Sequence, residues 1–92
     1  MIIGLLSVEI FLPFSHSLKE KRRILKSLKD RIRRHNVAVA ELDYQDKWQR
    51  AVIGVVTINS QKAVVETMLN KILSEAETHG ESQILNHGIQ FF

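Results

Sequence analysis

Residues 2–34 read IIGLLSVEIFLPFSHSLKEKRRILKSLKDRIRR, and a change of hydrophobic period inside this stretch decides the fold. From Ile2 to Leu12 apolar positions recur at every second residue, so Ile2, Gly4, Leu6, Val8, Ile10 and Leu12 share one face. A period of two is that of a strand, and this face is the expected core side. Ile3, Leu5, Ser7, Glu9 and Phe11 take the other face. Pro13 offers no backbone donor and closes the strand. After Ser17 the period becomes helical. At ~100° per residue, Leu18, Ile24, Leu25, Leu28 and Ile32 form a stripe about 120° wide. Ser17 and Glu20 have the spacing of a capping box, in which the hydroxyl accepts from the Glu20 amide and the carboxylate reaches back to Ser17. Lys21 projects into the apolar stripe, where its stem is expected to lie on apolar surface while its ammonium reaches water. The helix should end between Arg34 and Asn36.

Outward from this stretch the pattern continues with a second strand at 37–43, a polar connection at 44–47 and a third strand at 48–58. The unbroken apolar run from Ala51 to Val56 suits a central strand covered on both sides. Asn59 and Ser60 are placed to cap a second helix over 61–78, with Val64, Val65, Met68, Leu69, Ile72, Leu73 and Ala76 on its buried side. Gly80 is a natural helix stop in the left-handed conformation. A last strand is expected at 83–92, and its ending Ile89-Gln90-Phe91-Phe92 suits a sheet edge. The order strand, helix, strand, strand, helix, strand in one domain over 1–92 predicts an α+β, ferredoxin-like sandwich. Its antiparallel sheet would run 4-1-3-2 with both helices on one face. The other face would carry Ile3, Leu5 and Phe11 in the open, a surface suited to a partner such as a second copy.

The 92 residues suffice for one domain and fall short of two. There is no cysteine, which excludes disulfides, thiolate metal sites and a cysteine nucleophile and accords with a cytoplasmic location. No apolar run reaches the ~18–20 residues of a membrane span, and Met1 to Leu12 lacks the basic start of a secretory signal. The net charge of +3 hides an asymmetry: residues 17–35 hold nine basic and two acidic residues, whereas the remainder is acidic.

Two stretches have a more specific character: Ser15-His16-Ser17-Leu18-Lys19-Glu20-Lys21-Arg22-Arg23, and Ala40-Glu41 through Asp46-Lys47-Trp48-Gln49-Arg50-Ala51. With the opening strand, they resemble the YlxP-like family of small bacterial proteins, a domain of unknown function. The resemblance covers nearly the whole chain. It implies a ferredoxin-like fold and a setting beside translation and ribosome-maturation genes, and it carries over no catalytic residue.

The residues offer four candidate sites. Lys19, Arg22, Arg23, Lys26, Lys29, Arg33 and Arg34 span about 140° of the first helix, an array suited to a phosphate backbone and hence to RNA or the ribosome. Ser15, His16 and Ser17 stand at a helix start that can hold an anion, although the capping box competes for the same amides. Glu41, Asp43 and Asp46 could bind Mg²⁺, with Glu41 and Asp43 on one strand face; pairing with Lys47, Arg50 or the basic helix is the stronger expectation. Tyr44 and Trp48 could stack on bases, the competing role being to cover the end of the core. The third strand lacks the aromatics of an RNA-recognition motif, so any RNA contact should run through the helix and loops. His16, His35, His79 and His87 show no ligand spacing, and no nucleophile triad or phosphate loop is present. The expectation is a noncatalytic accessory protein with no cofactor, metal, membrane or small-molecule substrate, or else a homodimeric interaction module that uses the open sheet face or an edge strand.

Overall fold

β1 (Ile2–Phe11) places Leu6, Val8 and Ile10 on one side, each 3% exposed or less, and leaves Ile3, Leu5, Glu9 and Phe11 half-buried on the other. The structure is a computed structural model describing residues 1–92. α1 (Leu18–Ile32), β2 (Ala38–Asp43), β3 (Arg50–Asn59), α2 (Lys62–Glu77) and β4 (Gln83–Phe91) follow in order. The sheet runs β2-β3-β1-β4 with every neighbouring pair antiparallel, which is the expected 4-1-3-2 order. β4 and β2 are its edges.

The core lies between this sheet and the two helices. It joins the even residues of β1 to Ile24, Leu25, Leu28 and Ile32 of α1, Ala51, Ile53 and Val55 of β3, and Val65, Leu69, Ile72, Leu73 and Ala76 of α2. Val64 falls outside the stripe and is exposed. β3 is central, but helices cover only one of its sides: Val56 and Ile58 stand exposed on the open face. The last strand runs unbroken to Phe91, with one irregularity at Leu85. Phe92 exchanges two backbone hydrogen bonds with Ile3, and Lys62 sits over the Phe91 ring.

Three local expectations fail. Asn59 and Ser60 do not cap α2; its N-cap is Gln61, which makes no side-chain cap, while Asn59 Oδ1 accepts from the Gln61 amide one step outside the helix. Gly80 is not left-handed, because α2 closes earlier, where Thr78 N–H donates to Ser74 and Thr78 Oγ1 donates to Glu75 O. Pairing in β3 begins at Arg50 rather than Trp48, because residues 48 and 49 bend toward the β1–α1 loop.

Gly4 marks the closest approach of sheet and helix. A methyl there would lie 2.3 Å from Val65 Cγ1 and 2.8 Å from Leu69 Cδ1, both fully buried. At Gly54 the methyl would meet Leu42 Cδ1 at 2.6 Å, but Leu42 is half-exposed and free to swing. Overpacking a closed core costs about 1–3 kcal/mol. Gly4→Ala should therefore destabilise by about that amount in urea unfolding, and Gly54→Ala by clearly less. Equal effects would show that the Leu42 contact is as rigid as the core.

Candidate nucleic-acid interface

The site begins at the end of β1. Ser15 is fully buried, and its Oγ donates to Ser17 O. Ser17 Oγ accepts from the Glu20 amide at 3.1 Å, as the capping box requires. The return arm differs: Glu20 Oε2 accepts from His16 N–H at 3.0 Å rather than from Ser17. A carboxylate thus already stands at the helix start, and the hydroxyls of Ser15 and Ser17 are engaged internally. Ser15, His16 and Ser17 form the cap of α1. The His16 side chain itself is exposed.

Lys21 departs furthest from expectation. It is only 2% exposed, so its ammonium does not reach water. Nζ donates to the carbonyl of Tyr44 and lies 2.9 Å from Glu41 Oε2, which has no hydrogen bond of its own. A buried ammonium has to find such partners, because desolvating it alone costs several kcal/mol. Tyr44 adopts φ +62°, the one residue of the chain with positive φ, and its carbonyl also accepts from Lys47 N–H at 3.0 Å. Arg50 lies over the Tyr44 ring, 5.3 Å from its centroid, and pairs with Glu9 on the open sheet face. Leu12 N–H donates to Gln49 O at 2.8 Å, and Gln49 Nε2 reaches Ser15 O at 3.2 Å and Pro13 O at 3.4 Å. The β2–β3 hairpin is therefore clamped to the start of α1 from two sides.

This clamp disperses the acidic trio. A bulge at Leu42 puts Glu41 opposite Ile53 and Asp43 opposite Val52, so the two carboxylates face opposite sides of the sheet instead of sharing one. Glu41 serves Lys21, Asp43 Oδ1 accepts from Tyr44 N–H, and Asp46 is exposed on the turn.

The seven nominated cations of α1 divide into two sets. Arg23 forms a forked pair with Glu81, at 2.9 and 3.3 Å. Lys26 holds Asp30 at 2.9 Å, with Arg33 more distant at 3.8 Å. Hydrogen bonding from Lys26 draws the Asp30 carboxyl below its ordinary value, and Arg23 does the same for Glu81, which in turn raises Arg23. Lowered carboxyl values keep both carboxylates ionised at neutral pH, and their attraction for Lys26 and Arg23 is lost as acid carries the pH down through them. Lys19, Arg22, Lys29 and Arg34 form no ion pair, and neither does Arg31. Arg23 and Ser27 contact the segment after α2, at Glu81 and His79. On the helical wheel, Arg22, Lys29 and Arg33 lie on the opposite flank, away from α2.

Of the two aromatics, Tyr44 is half-buried and tied to Arg50, whereas Trp48 is 55% exposed and covers no core. Phe14, 62% exposed, escaped the sequence reading. Its one signal is an aromatic directly after the proline that ends β1. No helix is long and apolar enough to cross a membrane.

A family model described as a protein of unknown function (DUF503) matches residues 3–89. An uncharacterised protein, YlxP, of Bacillus subtilis (strain 168) is 33% identical over 81 residues, spanning 87% of this chain and 88% of that one. Among solved structures, the de novo designed protein Foldit4 aligns with a TM-score of 0.57 at 14% identity, covering all of this chain and 97% of its own. A designed protein with a ferredoxin fold, LFR1 1, aligns at 0.53 and 14% identity, covering all of this chain and 84% of its own. Both structural likenesses concern the fold alone.

Breaking a buried ion pair from one side costs about 3–5 kcal/mol. Glu41 is 23% exposed and can recover some hydration, which places Lys21→Met near the lower bound, at about 3 kcal/mol in urea unfolding. Replacing both partners, Lys21→Met with Glu41→Leu, should restore most of the loss. If the single variant were as stable as the parent, the clamp would hold without its ammonium.

Proposed function

This chain belongs to the DUF503 family, and we propose that it is an accessory protein that binds RNA, free or within the ribosome, through the outer surface of α1. The observation that supports this reading is the basic outer surface of the helix, on which Lys19, Arg22 and Arg34 are exposed and form no ion pair. With Lys21 withdrawn into its pair, eight basic residues of α1 and its C-terminal turn remain, six of them exposed and two, Lys29 and Arg31, half-buried. Only Glu20, Asp30 and Glu81 lie among them. Arg22, Lys26, Lys29 and Arg33 follow one another at steps of three or four residues, a row of about 16 Å along the helix. Each phosphate that such a row neutralises releases condensed counterions, so affinity should fall steeply with salt. Arginine adds forked donors matched to phosphate oxygens. The reading requires a compartment that holds RNA, and the cytoplasm is the one proposed.

A second reading has its own observation. The sheet face without helices carries Leu42, Val56 and Ile58, the last 53% exposed, beside a shallow depression over Ser7 and Gly88. A second copy stacked there would bury these side chains and leave both basic helices outward, doubling the polyanion surface. On this reading the chain is a dimer by sedimentation equilibrium, and Val56→Glu makes it a monomer. A parent that stays monomeric over the whole concentration range removes it.

For the first reading, replacing Arg22, Lys29 and Arg34 together by alanine should flatten the slope of log affinity for RNA against log salt by about two to three. Arg23→Ala should matter less, since Glu81 already occupies that guanidinium. The parent should co-sediment with ribosomal subunits at low salt and leave them at high salt. An unchanged slope in the triple variant would take α1 out of the contact.

A further inference from the structure

Phe14 and Trp48 are large, open aromatics on two different loops, and the clamp brings those loops together. Gln49 bonds to the carbonyls of Pro13 and Ser15, the residues on either side of Phe14, so the segment that carries Trp48 lies against the segment that carries Phe14. Lys21 holds the same hairpin against the first turns of α1, where Lys19 and Arg22 are exposed and unpaired. Two π-faces therefore stand at the end of the basic row at which the helix begins. We propose that this end of the domain binds unpaired nucleotides of single-stranded RNA, with bases stacked on Trp48 and Phe14 and the adjoining phosphates on Lys19 and Arg22. The inference rests on the reading of α1 as the phosphate-binding surface and adds the class of RNA it takes.

The chemistry favours unpaired bases over a duplex. In an A-form helix the bases are stacked on each other and offer no face to a protein side chain, so a duplex can use only the cations. An extruded base has a free face, and stacking is tolerant of sequence because every base has one. Neither ring serves the core: residues 14 and 48 are both absent from the packed cluster and from those that abut it. Their exposure makes them replaceable without loss of the fold.

Trp48 is the one tryptophan of the chain, so its emission reports the contact directly. The experiment titrates the full chain with three probes: single-stranded oligouridylate of about 12 nucleotides, a duplex RNA of the same length, and heparin, a polyanion without bases. The expected result is quenching of Trp48 by oligouridylate alone, with oligouridylate bound about tenfold more tightly than the duplex. Trp48→Ala and Phe14→Ala should each remove most of that preference and leave heparin binding intact. Trp48→Phe should retain it. Equal affinity for both RNAs with unchanged emission would overturn the stacking proposal while leaving the basic helix as the contact. Failure of all three probes to bind would remove the helix reading, and this proposal with it.

Discussion

A single ammonium determines how the parts of this domain meet. Lys21 occupies the middle of the stripe that α1 turns toward the sheet, a place where any apolar residue would satisfy the helix. Because a charge cannot rest there without partners, the surrounding chain has to bring oxygen to it. β2 brings the Glu41 carboxylate, and the hairpin turn brings the Tyr44 carbonyl. Only the turn departs from regularity to do so. Glu41 faces the helices by ordinary alternation from Val39, and the bulge at Leu42 then turns Asp43 to the other side. The carbonyl of Tyr44 comes from a residue in the left-handed region, a conformation that a tyrosine adopts only where its surroundings compel it. Here its carbonyl accepts twice and its ring lies against Arg50, so the turn is held from both ends.

The same constraint separates structural charge from charge available to a partner. Lys21 and Arg50 have their counterions within the domain, at Glu41 and Glu9, and contribute little to the outer field. Glu81 and Asp30 hold Arg23 and Lys26 through exposed pairs, which water and salt weaken. Lys19, Arg22, Lys29, Arg31 and Arg34 remain outside any ion pair, and of these Arg22 and Lys29 lie on the side of α1 away from α2. Charge counted along the sequence therefore overstates the basic surface by the buried pair but identifies its location correctly.

The architecture was legible because it is written in periods. Alternation in 2–12 and a 3.6-residue stripe in 18–32 each state which side is buried, and the order of elements then leaves one compact arrangement. The capping box was legible for the same reason, being local, and only its return arm shifted by one residue to His16. What could not be read depends on tertiary partners. Lys21 has the sequence context of a snorkelling lysine, and nothing near it reveals a carboxylate 20 residues away. The face shared by Glu41 and Asp43 was inferred from a regular strand, and one bulged residue reversed it. Gly80 and Asn59 are good terminators in isolation, but Thr78 and Gln61 already end α2. Of the site, the basic row was visible from spacing, whereas the meeting of the two loops that carry Phe14 and Trp48 depends on the bonds of Gln49 to Pro13 and Ser15.

The two stretches that carry the family resemblance, 15–23 and 40–51, are separated in sequence and joined in the fold, and their residues fall into two groups. Ser15, Ser17, Glu20, Lys21, Glu41, Gln49 and Arg50 each have a partner inside the domain, and the clamp accounts for them. The side chains of His16, Lys19, Arg22, Lys47 and Trp48 are exposed and stabilise nothing that the structure shows. Stability explains the first group and is silent on the second. Yet the first group is what gathers the second at one end of the domain, because the clamp brings the hairpin with Lys47 and Trp48 against the helix start with His16, Lys19 and Arg22. A clamp that served the fold alone could have been made of leucine on both sides, at lower cost in desolvation. An ionic clamp also needs its partners at hydrogen-bonding distance, so it holds the hairpin against the helix start in a narrower range of geometries than apolar contact does.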